Sequence, residues 1–325
     1  MRILVVGAAI LMASCGSPSV EAPAALAAAA TPSPTDAPSP TPSPTPSPTP
    51  TPVPSAALVA AAPSAAAGLG GSVPSVVLGA GVVARVAELI RASGGSAGIV
   101  VADGTSGETL HEVAADEVVF AASLYKLGVL LEAERRIELG TLRAAQVITI
   151  TKADQRDGGS YTPTGTKLTI EQALERMITV SDNASGLALL RLLGTEPIHE
   201  TLAREGIKGQ YFTSQGSVTT ARAVATFFGE LARGALVSAA ASARMLARLS
   251  RQRVVDRIPA ALPAGAVLGN KTGNLGFVTH DAGLIKGPDG KPVVLVVLTW
   301  GSSEEKGAQL IRDVAAAVYA GLARP

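Results

Sequence analysis

Cysteine, histidine and aromatic residues are scarce in this chain. Its 325 residues include one cysteine and three histidines, too few for a cluster of zinc ligands, which disfavours a zinc hydrolase. Aromatic residues make up 3% of the sequence, which argues against a surface built for stacking on bases. Charge of one sign is lacking too. The net charge is +1 with no large basic block, so a nucleic-acid partner held through its phosphates is not expected. Acids are almost missing from one region, where Glu21 and Asp36 are the only carboxylates between Gly16 and Ala80. A membrane-spanning run is also missing from the N-terminus. Ile3 to Met12 is apolar, but about ten residues do not cross a bilayer.

What is present divides the chain into three. Met1-Arg2 supplies positive charge ahead of that short apolar stretch, as in a signal peptide. Leu11-Met12-Ala13-Ser14-Cys15 resembles a bacterial lipobox, so residues 1–15 read as a lipoprotein signal peptide with its lipobox cysteine, which implies cleavage before Cys15, its lipidation as the mature N-terminus, and attachment to the membrane outside the cytoplasm. Residues 16–80 are dominated by Ala, Pro, Ser, Thr, Val and Gly. From Thr31 to Pro54 they form nearly a Thr/Ser-Pro repeat. Such a segment favours extended polyproline II and has no core to bury, so it reads as a tether. Residues 81–325 have the composition of a globular domain.

Within that domain the patterns change along the chain. Val82, Val83, Val86, Leu89 and Ile90 recur at helical spacing and stop at Gly94-Gly95. Ala97–Ala102 and Thr109–Val113 read as a strand pair. Helices are predicted from Ser123 to about Ile137, over Leu168–Ile178, over Asn183–Leu193, after a Thr195 cap, over about Thr219–Leu231 and over Ala239–Ser250. Three strands follow, Val267–Thr272, Asp281–Lys286 and Val293–Thr299, the last two joined by Gly287-Pro-Asp-Gly290. A helix over about Ser303–Leu322 ends the domain, and Trp300 is expected to pack against it. Strands at both ends with helices between predict an α+β fold: an antiparallel sheet flanked by the terminal helices, plus an all-helical lobe.

Three short motifs stand in order: Ser123-Leu-Tyr-Lys126, Ser181-Asp-Asn183 and Lys271-Thr-Gly273. Ser123 and Lys126 are three apart on a helix, so they share one face. Ser123 lies at the helix start, where free N–H groups favour developing negative charge. No histidine is near it in sequence. A lysine can serve as the base for its hydroxyl if burial and a second cation lower its pKa, and Lys271 is the candidate second cation. Gly273 allows close approach to the strand backbone.

Together the three motifs resemble the SxxK, SDN and KTG set of class A β-lactamases and related penicillin-recognising serine enzymes, and the likeness extends over most of residues 82–325. The resemblance implies a β-lactamase/transpeptidase-like fold, no cofactor or metal, a monomer, and a β-lactam or peptidoglycan-like substrate. It implies Ser123 as nucleophile, Lys126 as its base and Ser181 as the donor to the leaving nitrogen. Asn183 would hold Lys126 and the substrate amide. Lys271 and Thr272 would bind the substrate carboxylate. The N–H groups of Ser123 and Asn274 would form the oxyanion hole. Tyr161, in the loop before Ser181, resembles a wall residue of the site. Asp182 reads as a buried anchor for its turn.

One family feature is missing. Class A enzymes carry a Glu in an omega loop that activates the deacylating water. No Glu-x-x-Leu-Asn sequence follows Ser181 here. The chain runs from Gly206 to Gly216 and is expected to enter the next helix directly, while Glu205 and Glu230 stand in the wrong context. His280-Asp281 is a candidate substitute, with His280 binding the substrate as a cation or acting as a base. His111 and His199 read as surface or hairpin residues. Three functions therefore compete: a β-lactam hydrolase, a peptidoglycan D-alanyl peptidase or esterase, and a surface protein that is acylated and stays so.

Overall fold

The structure is a computed structural model, and it describes residues 78–323 apart from residue 157. The expected signal segment, Cys15 and the tether up to residue 77 lie outside the described residues.

The domain begins with α1 (Ala80–Ser93), whose buried face is Val86 and Leu89. It ends at Gly94, where φ is +70°, a left-handed cap that glycine adopts without penalty. Strands β1 (Ser96–Asp103), β2 (Thr109–Val113) and β3 (Val119–Phe120) follow. A short 3-10 turn, Ala122–Leu124, leads into α2 (Tyr125–Glu138). Next come β4 (Val147–Thr149), β5 (Lys167–Thr169), α3 (Ile170–Thr179), α4 (Asn183–Leu193) and α5 (Thr195–Arg204). A hairpin of β6 (Tyr211–Thr213) and β7 (Gly216–Thr219) precedes α6 (Ala221–Ala232), α7 (Ala239–Leu249) and α8 (Ile258–Ala261). Finally β8 (Val267–Asn274), β9 (Val278–Lys286) and β10 (Pro292–Trp300) meander into α9 (Glu304–Leu322).

The main sheet is antiparallel, in the order β2-β1-β10-β9-β8. Its middle strands β1 and β10 are largely apolar because both faces are covered. Along β10 the side chains alternate. Val293, Leu295 and Val297 join one core with residues of α1, α8 and α9. Val294, Val296 and Leu298 join a second core with α2, α6 and the helices beyond. This is the α+β architecture expected from strands at both ends of the domain.

Several boundaries differ from the sequence reading, each for a local reason. Leu168 belongs to β5, and Thr169 caps α3 through a reciprocal pair with Gln172. Gly194, not Thr195, is the cap of α5. Thr219 is a strand residue, and Thr220 caps α6. Trp300 packs on the second core rather than against α9, because an even-numbered residue of β10 faces α6. The segment after α5 does not enter α6 directly. It forms the β6–β7 hairpin, and β7 pairs with β3 to give a small sheet of order β3-β7-β6.

Candidate active site

Ser123 sits in the 3-10 turn at the head of α2, reached through Ala122 at φ +45°. Lys126 follows one turn later, fully buried. Its Nζ lies 3.2 Å from Ser123 Oγ, 2.6 Å from the Ser181 carbonyl, 3.2 Å from Ser181 Oγ and 2.8 Å from Asn183 Oδ1. Burial lowers the Lys126 pKa to about 7, against a smaller upward pull from Asp182. An amine so tuned is neutral in a large fraction of molecules near neutral pH and can accept a proton.

Ser181 occupies the turn between α3 and α4 with φ +58°, a left-handed conformation unusual for a side chain with a Cβ. That strain turns both its carbonyl and its hydroxyl toward Lys126. The turn is held by Asp182, which is fully buried. The Asp182 carboxylate caps α4 by accepting from Ser185 N (3.0 Å) and the Ser185 hydroxyl. It also accepts from Tyr161 N (2.7 Å) and Thr162 Oγ1 (2.7 Å). Burial alone would raise its pKa. The bonds from Ser185, Thr162 and Tyr161 outweigh that and hold it below the usual value. Tyr161 is thereby fixed through its backbone while the residue as a whole is 65% exposed. Asn183 Nδ2 donates to Gly158 O at 3.0 Å, closing the same loop.

The third motif comes from the edge strand β8. Lys271 is fully buried, and its Nζ donates to Ser181 Oγ (3.0 Å) and Thr272 O (2.9 Å). Ser181 Oγ therefore lies between two amines. Burial first, and the neighbouring Lys126 second, lower the Lys271 pKa well below its ordinary value. The sequence reading expects burial and the Lys271 cation together to lower Lys126; burial lowers Lys126, and the repulsion between the two amines falls on Lys271. Gly273 faces the Ser123 turn directly. A Cβ on Gly273 would stand 3.1 Å from Ala122 Cβ, 3.2 Å from Ala121 O and 3.3 Å from Ser123 N. Asn274, next along, is exposed. Gly273→Ala should therefore lower the acylation rate about tenfold or more with little loss of stability, since a shift of a few tenths of an ångström displaces Ser123 N. Acylation kinetics beside a melting curve check this.

His280 does not stand where the sequence reading put it. It is fully buried on β9, and burial lowers its pKa to about 4. A cation facing substrate carboxylate is excluded, as is contact between this ring and bulk water. Its Nε2 reaches the Phe120 carbonyl at 2.9 Å. Its neighbour Asp281, one residue on, points to the other face of the strand. There it accepts from Asn270 Nδ2 (2.9 Å) and Ile258 N (3.0 Å), and burial raises its pKa to about 7. No His280–Asp281 pair forms, because adjacent strand residues face opposite ways.

The two acids named earlier are also elsewhere. Glu205 Oε2 accepts from Val237 N at 3.4 Å, and Glu230 pairs with Arg233 at 2.8 Å. The partners of Lys126 and Lys271 are hydroxyl, amide and carbonyl oxygens.

One residue at the site escaped the sequence reading. Arg257 is buried behind β8, and its Nη1 donates to the carbonyls of Gly273 (3.0 Å) and His280 (2.8 Å). It places a permanent positive charge behind the Lys271-Thr272-Gly273 strand. No motif or periodicity surrounds it in Val254-Val255-Asp256-Arg257-Ile258, so no sequence signal was available.

The fold is shared with known relatives. The β-lactamase enzyme family profile matches residues 81–322. The β-lactamase AST-1 of Nocardia asteroides is 30% identical over 245 residues, covering 68% of this chain and 76% of that protein. A β-lactamase from Sphaerobacter thermophilus has a similar structure, with TM-score 0.68 and 26% identity over 75% of this chain and 97% of that one. A variant of PBP-A, solved as its acyl-enzyme complex with penicillin G, is similar as well. Its TM-score is 0.68, with 25% identity over 74% of this chain and 95% of that one. The chain belongs to the β-lactamase enzyme family and is a β-lactamase-like serine hydrolase.

Proposed function

We propose that this protein opens β-lactams through an ester on Ser123. The observation that carries this reading is the 3.2 Å contact between Ser123 Oγ and a buried lysine whose pKa is lowered to about 7. Neutral Lys126 takes the Ser123 proton as Oγ attacks the ring carbonyl carbon. A C–O bond forms and the ring C–N bond breaks. The proton passes by way of Ser181 Oγ, within 3.2 Å of Lys126 Nζ, to the leaving nitrogen. The N–H groups of Ser123 and Asn274 receive the charge that develops on the carbonyl oxygen. Thr272 contacts the substrate carboxylate, while buried Lys271 and Arg257 attract it from behind the strand. Asn183 holds Lys126 and the substrate amide, and the exposed Tyr161 ring forms one wall. That a PBP-A variant carries penicillin G as an acyl-enzyme supports a β-lactam as the acylating agent. Export, with a lipid on Cys15, belongs to the same proposal and rests on the N-terminal sequence.

A second reading is favoured by one observation. The segment that would carry a water-activating Glu folds instead as the β6–β7 hairpin against β3. A general base contributes about 100- to 10,000-fold to a proton-transfer step, so its absence slows deacylation and not acylation. The protein would then act on D-alanyl peptides or esters, or persist as the acyl-enzyme after meeting a β-lactam. Labelling the full chain with a fluorescent penicillin separates these outcomes. The expected result is one label per chain, lost on Ser123→Ala, with an adduct that outlives a single turnover of an ordinary β-lactamase. Rapid release identifies an efficient β-lactamase. Absence of any adduct would rule out β-lactam acylation altogether.

A further inference from the structure

Two histidines sit outside the catalytic machinery, and both are bonded to the small sheet that leads into Ser123. This sheet has the order β3-β7-β6, so β3 and β6 are its outer strands. Ala121 N donates to Ser217 O on β7 at 2.9 Å, which turns the carbonyl of the preceding residue, Phe120, to the outer side of β3. His280 Nε2 meets that carbonyl at 2.9 Å. At the opposite edge, Phe212 N donates to His199 Nε2 at 2.8 Å, and the two rings lie 5.6 Å apart. The Phe212 ring also packs edge-on against Tyr125, between Ser123 and Lys126, at 5.9 Å.

His280 has a further connection. On β9 it lies directly across from Gly273. Arg257 Nη1 donates to the carbonyls of both residues, pinning that pair. So His280 is joined through its backbone register to the strand bearing Asn274 N, and through its ring to β3, the strand that leads into the Ser123 turn. Each ring nitrogen lies near a carbonyl, and the tautomer with its proton on Nε2 pairs the most groups. With the proton on Nε2, the ring donates to Phe120 O, and Nδ1 accepts from Thr299 N at 3.2 Å. The Thr279 carbonyl, 2.8 Å from Nδ1, already accepts from Thr299 Oγ1 at 2.7 Å. Burial keeps the ring neutral down to about pH 4. His199 has the opposite pattern: Nε2 accepts, so its proton is on Nδ1, the nitrogen 3.8 Å from Glu196 Oε1.

We propose that His280 is a positioning residue for acylation, which sets the gap between the Ser123 and Asn274 N–H groups by tying Phe120 to β9, with His199 fixing the far edge of the same sheet. This rests on Ser123 being the nucleophile. It does not require either histidine to touch substrate. Even one added Cβ at Gly273 would crowd the Ala121–Ser123 turn, at 3.1 to 3.3 Å, so β8 and that turn already run close and separation is the freer movement. Loss of the His280 bond therefore widens the gap in one direction.

The test is stopped-flow acylation of the full chain by a fluorescent penicillin, with the acylation rate constant separated from the binding constant. His280→Leu should lower the rate constant about 10- to 100-fold and change binding less than about threefold, as for a sub-ångström displacement remote from the substrate. His280→Gln retains an N–H near the Nε2 position and should recover to within about fivefold of the parent. His199→Leu should have a smaller effect of the same kind, and His199→Gln, which keeps an acceptor for Phe212 N, should remove it. Nitrogen-15 shifts of the unmodified protein should show His280 protonated on Nε2 and His199 on Nδ1. That measurement holds even if the leucine variants fail to fold. Equal rates for His280→Leu and the parent, equal losses in the Leu and Gln variants, a loss confined to binding, or the reverse tautomer at His280 would each overturn the proposal. Ser123→Ala is the separate control. Persistent covalent labelling there removes the nucleophile assignment, whereas its loss alongside an unaffected His280→Leu removes the clamp alone.

Discussion

Lys126→Met is expected to slow acylation by a penicillin about 100- to 10,000-fold, the contribution of a general base. The reason is local. Lys126 Nζ is the amine bonded to Ser123 Oγ, at 3.2 Å, and it is buried well enough for its pKa to fall to about 7. Methionine fills much the same volume but accepts no proton. The pH dependence gives a sharper check. A base works only when deprotonated, so the acylation rate of the parent should rise with pH through an acid limb near 7 and then level off. The methionine variant should have lost that limb while retaining its fold by circular dichroism. A variant that acylates at the parent rate would show that another group removes the proton. Lys271 is the only other amine in the cluster, and its Nζ is bonded to Ser181 Oγ rather than to Ser123.

Much of this arrangement could be read from the chain because it is carried by short contiguous motifs. Ser123 and Lys126 meet because a helix brings residues three apart together, and the helix was visible in the apolar pattern that follows them. Asp182 could be placed as the anchor of its turn because it lies inside the second motif, immediately before the apolar run of α4. What escaped depends on pairs distant in sequence. Arg257 reaches Gly273 only because α8 folds back on β8, and nothing local marks that. The strands β3, β6 and β7 are two to four residues long, too short for alternation to show. His280 reads as a substrate cation or a base because it follows the Lys271-Thr272-Gly273 motif. The pleat turns it inward instead, toward Phe120, where burial leaves it neutral. Side-chain direction on a strand is fixed by register, and β9 begins three residues earlier than its apolar pattern suggests, at Val278.

The second large effect concerns stability. Glu134 is fully buried on α2, two turns beyond Lys126, and bonds Arg244 Nε at 2.7 Å and Arg248 Nη1 on α7. Arg248 is itself 3% exposed, bonds Glu171 on α3 with its other amine, and leaves Nε without a partner. Glu134→Ala would leave a buried guanidinium facing a cavity, with only the half-exposed Glu171 to compensate it. Breaking a buried pair by removing one partner costs about 3–5 kcal/mol. For a domain of this size each kcal/mol shifts the melting temperature by about 2–4 °C, so a fall of about 6–20 °C is expected in calorimetry. The charge rather than the cavity should dominate. Glu134→Leu combined with Arg248→Met, which removes both charges and keeps the volume, should recover most of that loss. If the single variant melts like the parent, the bridge contributes nothing. If the double variant melts as low as the single one, packing of α2 on α7, and not charge burial, is what Glu134 supplies. Because α7 also packs on β8, loosening this joint should lower acylation only in proportion to the unfolded fraction, unlike Lys126→Met, which lowers it in fully folded protein.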